Sequence, residues 1–385
     1  MSLYPRMRSR VFDEPGEGWQ SSAMVDVLRR SWPAGGSRRS RGQTDGGGGR
    51  GPRYLARFVA LVFVLVVLVV VSFPLGRYPV DMGTAFGVIA ERLHLGGGHF
   101  SAAEHAVVLN IRLPRVVAAV LVGAALSSSG AAYQSVFRNL LVSPSILGVS
   151  AGAGFGASIA LLFGLPAVWL QVLAFAGGLT AAAVASVIGS ALGRGSVIVL
   201  ILGGLVVSAL FEALIGLTEY VANPDDTLPS IIFWLLGGLN RVSLNQLVLP
   251  AILIVICLVV LYLVRWPVTV LAAAEGDART LGVNQTRIRM TVIIAATLLT
   301  ATVVSIAGLI GWVGLVVPQM ARFLFGPSFT WLMPGATVLG AVFLLIVDDV
   351  ARSATSVEVP LGILTALIGA PCFVAVLAKA RHQWL

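Results

Sequence analysis

Long runs without charge alternate with short polar segments along most of this 385-residue chain. The runs free of Asp, Glu, Lys and Arg are residues 58–76, 116–137, 139–193, 195–211, 242–264, 290–321, 323–347 and 359–378. A membrane-spanning helix needs about 20 predominantly apolar residues. The run 139–193 must therefore hold two spans, divided near residues 164–166, and residues 281–321 are expected to hold two more, separated by residues 308–314. A span is also expected to begin near Gly195 and continue past Glu212. The pattern predicts about ten transmembrane helices.

The composition indicates that lipid surrounds this fold. Apolar residues make up 57% of the chain and charged residues 11%, against roughly 25% charged residues in soluble domains. Such a chain cannot cover its surface with polar groups, whereas in a bilayer helices satisfy their own backbone hydrogen bonds and expose apolar side chains. We therefore predict an all-α integral membrane protein with the lipid bilayer as its surroundings.

The N-terminal segment differs from the rest of the chain. Residues 1–57 contain eleven Arg and five acidic residues and are rich in Gly and Ser, a composition with too little apolar surface to fold alone. We predict a disordered cytoplasmic tail over residues 1–55, held near anionic lipid by its arginines, and one polytopic transmembrane domain over residues 56–385. Most of the net charge of +9 belongs to this tail, so no nucleic-acid partner is indicated.

The distribution of basic residues predicts the orientation. Cytoplasmic loops collect Lys and Arg, and counting spans from a cytoplasmic N-terminus places most of the basic residues inside and both termini in the cytoplasm. The predicted location is the bacterial cytoplasmic membrane, crossed many times. Three arginines stand instead at the outer ends of spans: Arg112, Arg115 and Arg352. Two interpretations stay open, snorkelling to lipid phosphates and salt bridges with carboxylates of an external partner.

Several motifs, in one order from residue 56 to residue 385, resemble the FecCD-type permeases of iron-siderophore, haem and vitamin B12 ABC importers. The motifs are RLPR at 112–115, GAAL at 123–126, FRN at 137–139, LGVSAGA at 147–153, WLLG at 234–237, ARTLGV at 278–283, GWVGLVVP at 311–318, the segment 348–352, PLG at 360–362 and LIGAP at 367–371. The chain departs from the family where Leu140 follows Arg138-Asn139 and where Gln319 follows Pro318.

The resemblance implies a type II ABC importer fold, similar to the vitamin B12 permease, and a transport subunit rather than an enzyme. It implies import of a ferric-siderophore complex, with haem or cobalamin as alternatives. It also implies a second permease copy or a sister permease, two ATPase subunits that carry ATP-Mg, and a substrate-binding lipoprotein. This chain itself would bind no cofactor and no metal, since iron would travel inside the chelate.

The resemblance also assigns roles to residues. Arg112, Arg115 and Arg352 match the arginines that meet the binding protein. The loop that couples the permease to the ATPase corresponds to Glu275, Gly276, Asp277, Ala278, Arg279, Leu281 and Gly282. From the residues themselves, glycine and proline breaks and an acid inside a span mark candidates for the transport pathway or its gate: Glu212, Gly308, Gly311, Gly314, Pro318, Gln319 and Pro371.

Other classes of transporter remain as alternatives. An ion-coupled secondary transporter would use intramembrane acids such as Glu212 and Asp348 as a relay, and an export permease would need no external binding protein. The glycines at 46–49 lack the Lys-Ser/Thr of a phosphate-binding loop, so the energy source is expected in a separate subunit. The sequence leaves open which chelate is carried and whether the permease dimer has one or two kinds of subunit.

Overall fold

The computed structural model describes residues 50–76, 78, 80–94, 96, 99–193, 197–273, 284–354 and 357–384. Most of the predicted tail therefore lies outside the described residues. The first described helix begins at Arg50, ahead of the domain boundary predicted between residues 55 and 56. Pro52 suits this position because a helix leaves its first N–H groups without partners, so a proline there removes no hydrogen bond.

Thirteen helices make up the described part of the chain. In chain order they are α1 Arg50–Ser72, α2 Met82–Arg92, α3 Ala102–Val136, α4 Val149–Leu162, α5 Ala167–Gly193, α6 Val197–Val221, α7 Thr227–Leu235, α8 Leu244–Leu263, α9 Arg265–Ala273, α10 Gln285–Ala307, α11 Val313–Phe325, α12 Phe329–Ser353 and α13 Leu361–Trp384. Within α3, residues Ala106–Arg112 form a π-helical segment, and a short 3-10 helix over Pro144–Leu147 precedes α4.

Seven of the described helices are long and apolar enough to cross a membrane, namely α1, α3, α5, α6, α8, α10 and α12. Three shorter apolar helices accompany them: Val149–Leu162, Val313–Phe325 and the part Leu361–Ala375 of α13. The prediction of an all-helical membrane fold is thus confirmed. The prediction of about ten spans corresponds to seven full-length helices and three shorter apolar helices.

The two long apolar runs divide where glycine was expected to divide them. Gly164, with φ of +61°, lies between α4 and α5, and Gly308, with φ of +66°, follows the last residue of α10. Such left-handed conformations favour glycine because it lacks a Cβ. Trp312 also adopts a positive φ of 65°, directly before α11. The interruption between α10 and α11 is therefore a fixed feature of the backbone.

Helix α3 lies at the centre of one half of the bundle, where it packs against α10, α11 and α12. Glycines bring these helices into backbone contact: a Cβ on Gly123 would lie 2.2 Å from the carbonyl oxygen of Gly340, and a Cβ on Gly130 would lie 1.8 Å from that of Gly314. Small residues allow this close approach in membrane proteins. A second group consists of α4, α5 and α6, which pack on one another.

Three short helices, α2, α7 and α9, were not predicted. None approaches the length of a span, so hydropathy over a span-length window does not detect them. Helix α2 has its own start signal, because the Asp81 carboxylate accepts hydrogen bonds from the hydroxyl and the backbone N–H of Thr84. These hydrogen bonds, from the side chain first and the backbone second, lower the pKa of Asp81 below its usual value.

Candidate functional site

The three arginines singled out from the sequence come together at one end of the bundle. We call it the outer end, following the predicted orientation. Their exposed fractions are 3% for Arg112, 6% for Arg115 and 5% for Arg352. The sequence interpretation placed them facing outward. The structure instead turns the three guanidinium groups into the bundle, where carboxylates and carbonyl groups surround them.

Arg115 joins α3 to two acidic residues. Its Nε lies 2.9 Å from Oδ1 and 3.0 Å from Oδ2 of Asp348 on α12, and its Nη1 lies 2.9 Å from Oε1 of Glu358. Asp348 is fully buried, whereas the side chain of Glu358 is 30% exposed. The planar guanidinium group suits such double pairing because its N–H donors point in fixed directions.

Arg352 joins α12 to the end of α1. Its Nη2 donates to the backbone oxygen of Ser72 at 2.7 Å and to the carboxylate of Asp349, and its Nη1 donates to the backbone oxygen of Leu75 at 3.0 Å. The hydroxyl of Ser72 donates to Asp349 at 2.6 Å. The last carbonyl groups of a helix have no partner within the helix, so a cation placed here stabilises the C-terminal end of α1.

Arg112 continues this arrangement along the segment after α1. It donates to the backbone oxygens of Phe73 and Tyr78. Gly76, with φ of +144°, lies against the same guanidinium group, and a Cβ there would approach Nη2 to 3.3 Å. The arginine therefore holds the chain that leaves α1 in a path that glycine makes accessible.

The three arginines and Glu358 line a cleft of about 190 Å³, which we call the outer cleft. Its remaining lining comes from residues 75, 76, 78, 107 and 111. Three carboxylates, those of Asp348, Asp349 and Glu358, balance the charge of the three cations. The sequence analysis missed these internal partners. The spacing of Asp348 and Asp349 four and three residues before Arg352 could have indicated them, since such residues are neighbours on a helix.

Gly308 and Gly311, two of the pathway candidates, lie at the interruption between α10 and α11. Gly238 donates its N–H to the oxygen of Ala307 at 2.8 Å, and a Cβ on Gly308 would lie 2.3 Å from the oxygen of Trp234. Gly308 borders a cavity of about 80 Å³ lined by polar groups that include Gln171. Gly311 is exposed, with open space beside its Cα. Both positions are compatible with a pathway surface, and that role stays a prediction.

Gly314, Pro318 and Gln319 are buried against α3 instead. The amide of Gln319 donates to Oε1 of Gln134 at 3.0 Å and to the backbone oxygen of Leu140 at 2.8 Å. Gln319 therefore joins α11 to α3 and to the loop after α3, where the chain also departs from the family motif. Their location is an internal helix contact, and their role in the pathway or its gate stays a prediction.

The other two pathway candidates lie on exposed surface. Pro371 lies inside α13, which continues through it without interruption, so no break in the helix occurs there. Glu212 was interpreted as a buried acid, and this is wrong for the chain described here, because its side chain is exposed on α6. Helix α6 packs on α4 and α5, and the exposure of Glu212 places its side chain away from these contacts.

The predicted coupling residues, Glu275 to Gly282, lie outside the described residues. The flanking helices are described: α9 ends at Ala273 and α10 begins at Gln285. Asn284 begins α10 by accepting a hydrogen bond from the N–H of Arg287 at 3.0 Å. Within the described ranges, no group of three His, Cys, Asp or Glu side chains is arranged to hold a metal ion.

Comparisons with known proteins agree with this architecture. The model of the FecCD transport family matches residues 64–379, which confirms the resemblance seen in the motifs. The molybdate import permease MolB of Haemophilus influenzae is 35% identical over 84% of this chain and 95% of its own length. The hemin permease HmuU of Yersinia pestis is 32% identical over 86% and 97%.

A solved structure gives the same result for the fold. An ABC transporter of the metal-chelate type, in an inward-facing conformation, is similar with a TM-score of 0.76 and 34% sequence identity, over 85% of this chain and all of that chain. The relatives are permease subunits, which are transport components and not enzymes. The chain therefore belongs to the FecCD transport family and is a multi-pass membrane permease of an ABC importer.

Proposed function

We propose that this permease carries a ferric-siderophore complex across the bacterial cytoplasmic membrane, with both termini in the cytoplasm. Two ATPase subunits with bound ATP-Mg would drive it, a substrate-binding lipoprotein would deliver the chelate, and a second copy or a sister permease would complete the pathway. Relatives named for iron chelates support this cargo, including an iron chelatin permease of Helicobacter pylori, 37% identical over 71% of this chain.

The outer cleft is the proposed docking site of the binding protein. A carboxylate from that protein would find Arg115 and Arg352 already oriented, because Asp348 holds both guanidinium groups from below. Glu358 is the most exposed acid of the set and occupies one edge of Arg115. We infer that the incoming carboxylate competes with Glu358 for this edge, since both groups need the same N–H donors.

A displacement of Glu358 would be transmitted into the helix bundle. The segment that carries it continues into Leu361 and Gly362, whose N–H groups donate to the oxygens of Gly237 and Leu236 at 3.0 and 3.1 Å. The same turn contacts Gly308 at the interruption between α10 and α11. Docking at the outer cleft is thereby connected, through backbone hydrogen bonds, to the proposed pathway surface.

The negative charge of α6 supports a metal chelate, rather than a small anion, as the cargo. Glu212 lies near the middle of this 25-residue helix, has an exposed side chain and makes no hydrogen bond or ion pair with the described residues. A carboxylate at this depth is costly against lipid, which favours a location on a protein or water-facing surface. Glu219 follows seven residues later, on the same face, and α6 contains no Lys or Arg.

Molybdate is the second candidate cargo, because MolB matches over 95% of its own length. The acidic face of α6 disfavours it, since the carboxylates of Glu212 and Glu219 repel a dianion. It would not repel a ferric chelate of neutral or positive charge. The ion-coupled alternative has less support: Asp348, one member of its relay, is held in ion pairs with Arg115 and Arg352.

Uptake into proteoliposomes that contain the permease, its ATPase and its binding lipoprotein tests the cargo. We expect ATP-dependent uptake of a ⁵⁵Fe-labelled trihydroxamate chelate and no uptake of ⁹⁹Mo-labelled molybdate under the same conditions. Accumulation of molybdate, with no movement of the iron chelate, would reverse the assignment while leaving the permease function intact.

A binding measurement tests the docking site. Glu358→Gln removes the internal competitor and is expected to tighten binding of the lipoprotein to the permease in nanodiscs several-fold, whereas Arg115→Gln weakens it. Arg241→Gln is the matched control, because this guanidinium stacks on Phe233 and lies outside the outer cleft. Equal affinity of all three variants would remove the outer cleft as the docking site.

A further inference from the structure

A cavity of about 440 Å³ lies at the inner end of the bundle, where α3 and α11 end and α12 begins. It is lined by Gln134, Ser135, Arg138, Leu140, Thr269, Ala272, Arg322, Pro327 and Ser328. No Asp or Glu of the described ranges borders it. Two arginines therefore face one cavity without a carboxylate among the described residues that line it, in contrast to the balanced charges of the outer cleft.

Arg322 is poorly satisfied in this position. Its Nη2 donates to the hydroxyl of Ser135 at 3.4 Å, the outer limit of a hydrogen bond, and its Nε is buried without a hydrogen-bond partner. Among the described residues it forms no ion pair. The side chain is partly buried, and a cation removed from water is normally paired, so the described surroundings of Arg322 lack an acceptor of negative charge.

Arg138 and the start of α12 add positive potential to the same cavity. Arg138 adopts a left-handed conformation, with φ of +49°, and donates to the backbone oxygen of Leu271. Ser328, the residue before α12, makes no capping hydrogen bond with its side chain. The N-terminal end of a 25-residue helix carries a partial positive charge and attracts anions.

We place the cavity at the depth of the lipid headgroups from the aromatic residues beside it. Tyr54 and Trp331 pack with their ring centroids 5.8 Å apart and their planes tilted by 50°, and such aromatic residues mark the membrane interface. Leu141 and Phe323, which are 59% and 47% exposed, flank the residues of the cavity. The opening is therefore next to surface of the kind that contacts acyl chains, rather than to a purely polar surface.

We propose that Arg322 and Arg138 bind the phosphate group of an anionic phospholipid, whose acyl chains lie along the apolar surface beside the cavity. Basic pockets between transmembrane helices are suited to such headgroups. The phosphate would accept hydrogen bonds from the terminal Nη groups of Arg322 and from the hydroxyl groups of Ser135 and Ser328. This site is independent of the cargo and of the docking proposal.

Binding of spin-labelled phosphatidylglycerol to the purified permease–ATPase complex tests the proposal, with spin-labelled phosphatidylcholine as the zwitterionic reference. We expect phosphatidylglycerol to be preferred by wild type. Arg322→Gln should lower its affinity about tenfold, the effect of losing one hydrogen bond to a charged group. Arg322→Lys should retain more of the preference, and the control Arg241→Gln, which removes one positive charge elsewhere, should retain all of it.

Two results would overturn the site. One is equal binding of the two lipids to wild type, and the other is a preference that Arg322→Gln leaves unchanged. Inorganic phosphate at millimolar concentration separates the sources of the phosphate group. Displacement of the lipid is not expected, and complete displacement would assign the site to a free anion instead. Thermal unfolding of each variant, measured alongside, identifies a loss of binding that comes from a loss of fold.

Discussion

Asp348 is the residue on which the outer cleft depends, since it is fully buried and contacts both Arg115 and Arg352. Its charge is therefore compensated entirely within the chain. Removing one member of a buried ion pair leaves the other charge without compensation, and this loss exceeds the stabilisation that the intact pair provides. The residue is best understood as a support that orients two arginines.

Asp348→Asn is expected to lower the free energy of unfolding by about 3 kcal/mol. The reason is that two buried guanidinium groups would lose their shared counter-charge. Thermal unfolding of the purified permease in detergent measures the change. Glu358→Gln is the matched control, because its side chain is 30% exposed and solvent screens the pair, so an effect of at most about 1 kcal/mol is expected. An unfolding temperature that does not change in Asp348→Asn would contradict the supporting role.

Glu212 gives a second prediction at this scale. In a chain with Cys257 and Cys372 replaced by Ser, Ala213→Cys should react about tenfold faster with a cationic than with an anionic methanethiosulfonate reagent, because a nearby carboxylate concentrates cations. Adding Glu212→Gln should abolish the difference. Phe63→Cys on the exposed face of α1 is the control and should not react. No reaction at Ala213→Cys would exclude a water-accessible pathway beside Glu212.

The sequence singled out three arginines by position but did not show how they are satisfied. Arg112, Arg115 and Arg352 were noticed because arginines at the outer ends of spans are unusual. The helical spacing of Asp348 and Asp349 to Arg352 could have indicated those two pairs. The partners Asp348 of Arg115 and Ser72 of Arg352 lie 233 and 280 residues away, distances over which sequence alone gives no pairing. Glu212 was misplaced for a related reason: membrane depth follows from hydropathy, whereas the face of a helix that packs depends on its neighbours.

The helices themselves were largely predictable. Runs without charge located the spans, and glycine located the divisions at Gly164 and Gly308. Helices α2, α7 and α9 and the π-helical segment of α3 were missed, because they are too short or too polar to produce a span-length hydropathy signal. The close contacts of α3 depend on which glycines meet across a pair of helices, and a hydropathy pattern does not contain this information.

Helix contact through glycine gives a prediction at the scale of the elements. Gly130→Ala should destabilise the permease by about 1–3 kcal/mol, because the new Cβ would lie 1.8 Å from the backbone oxygen of Gly314 and α3 would have to move away from α11. Gly216→Ala on α6 is the matched control, since no atom lies within 4 Å of a Cβ there. Thermal unfolding should separate the two variants, and equal stability would contradict the close packing of α3.

The segment between α9 and α10 gives another prediction. Replacing residues 275–281 with a Gly/Ser sequence of equal length should release the ATPase subunits during affinity purification, because the proposed coupling helix could no longer form. The same replacement of residues 94–99, at the outer end, should leave the ATPase bound. Copurification of the ATPase with both variants would count against the coupling role.

At the scale of the whole molecule, the chain is a bundle of lipid-immersed helices whose charges are concentrated at its two ends. The charges of the outer cleft are balanced, whereas the inner cavity is lined by two arginines and by no Asp or Glu of the described residues. Membership of the FecCD transport family shows that the chain is a permease of an ABC importer. For the cargo, by contrast, we propose that a few side chains such as Glu212 and the binding protein decide.

Dependence on the ATPase tests this account most directly. Proteoliposomes that contain the permease and its ATPase should take up the labelled ferric chelate only when ATP is supplied on the ATPase side and the loaded binding protein on the other side. Omission of any one component should reduce uptake to the level of empty vesicles. Uptake by the permease alone, driven by an imposed ion gradient, would contradict the account.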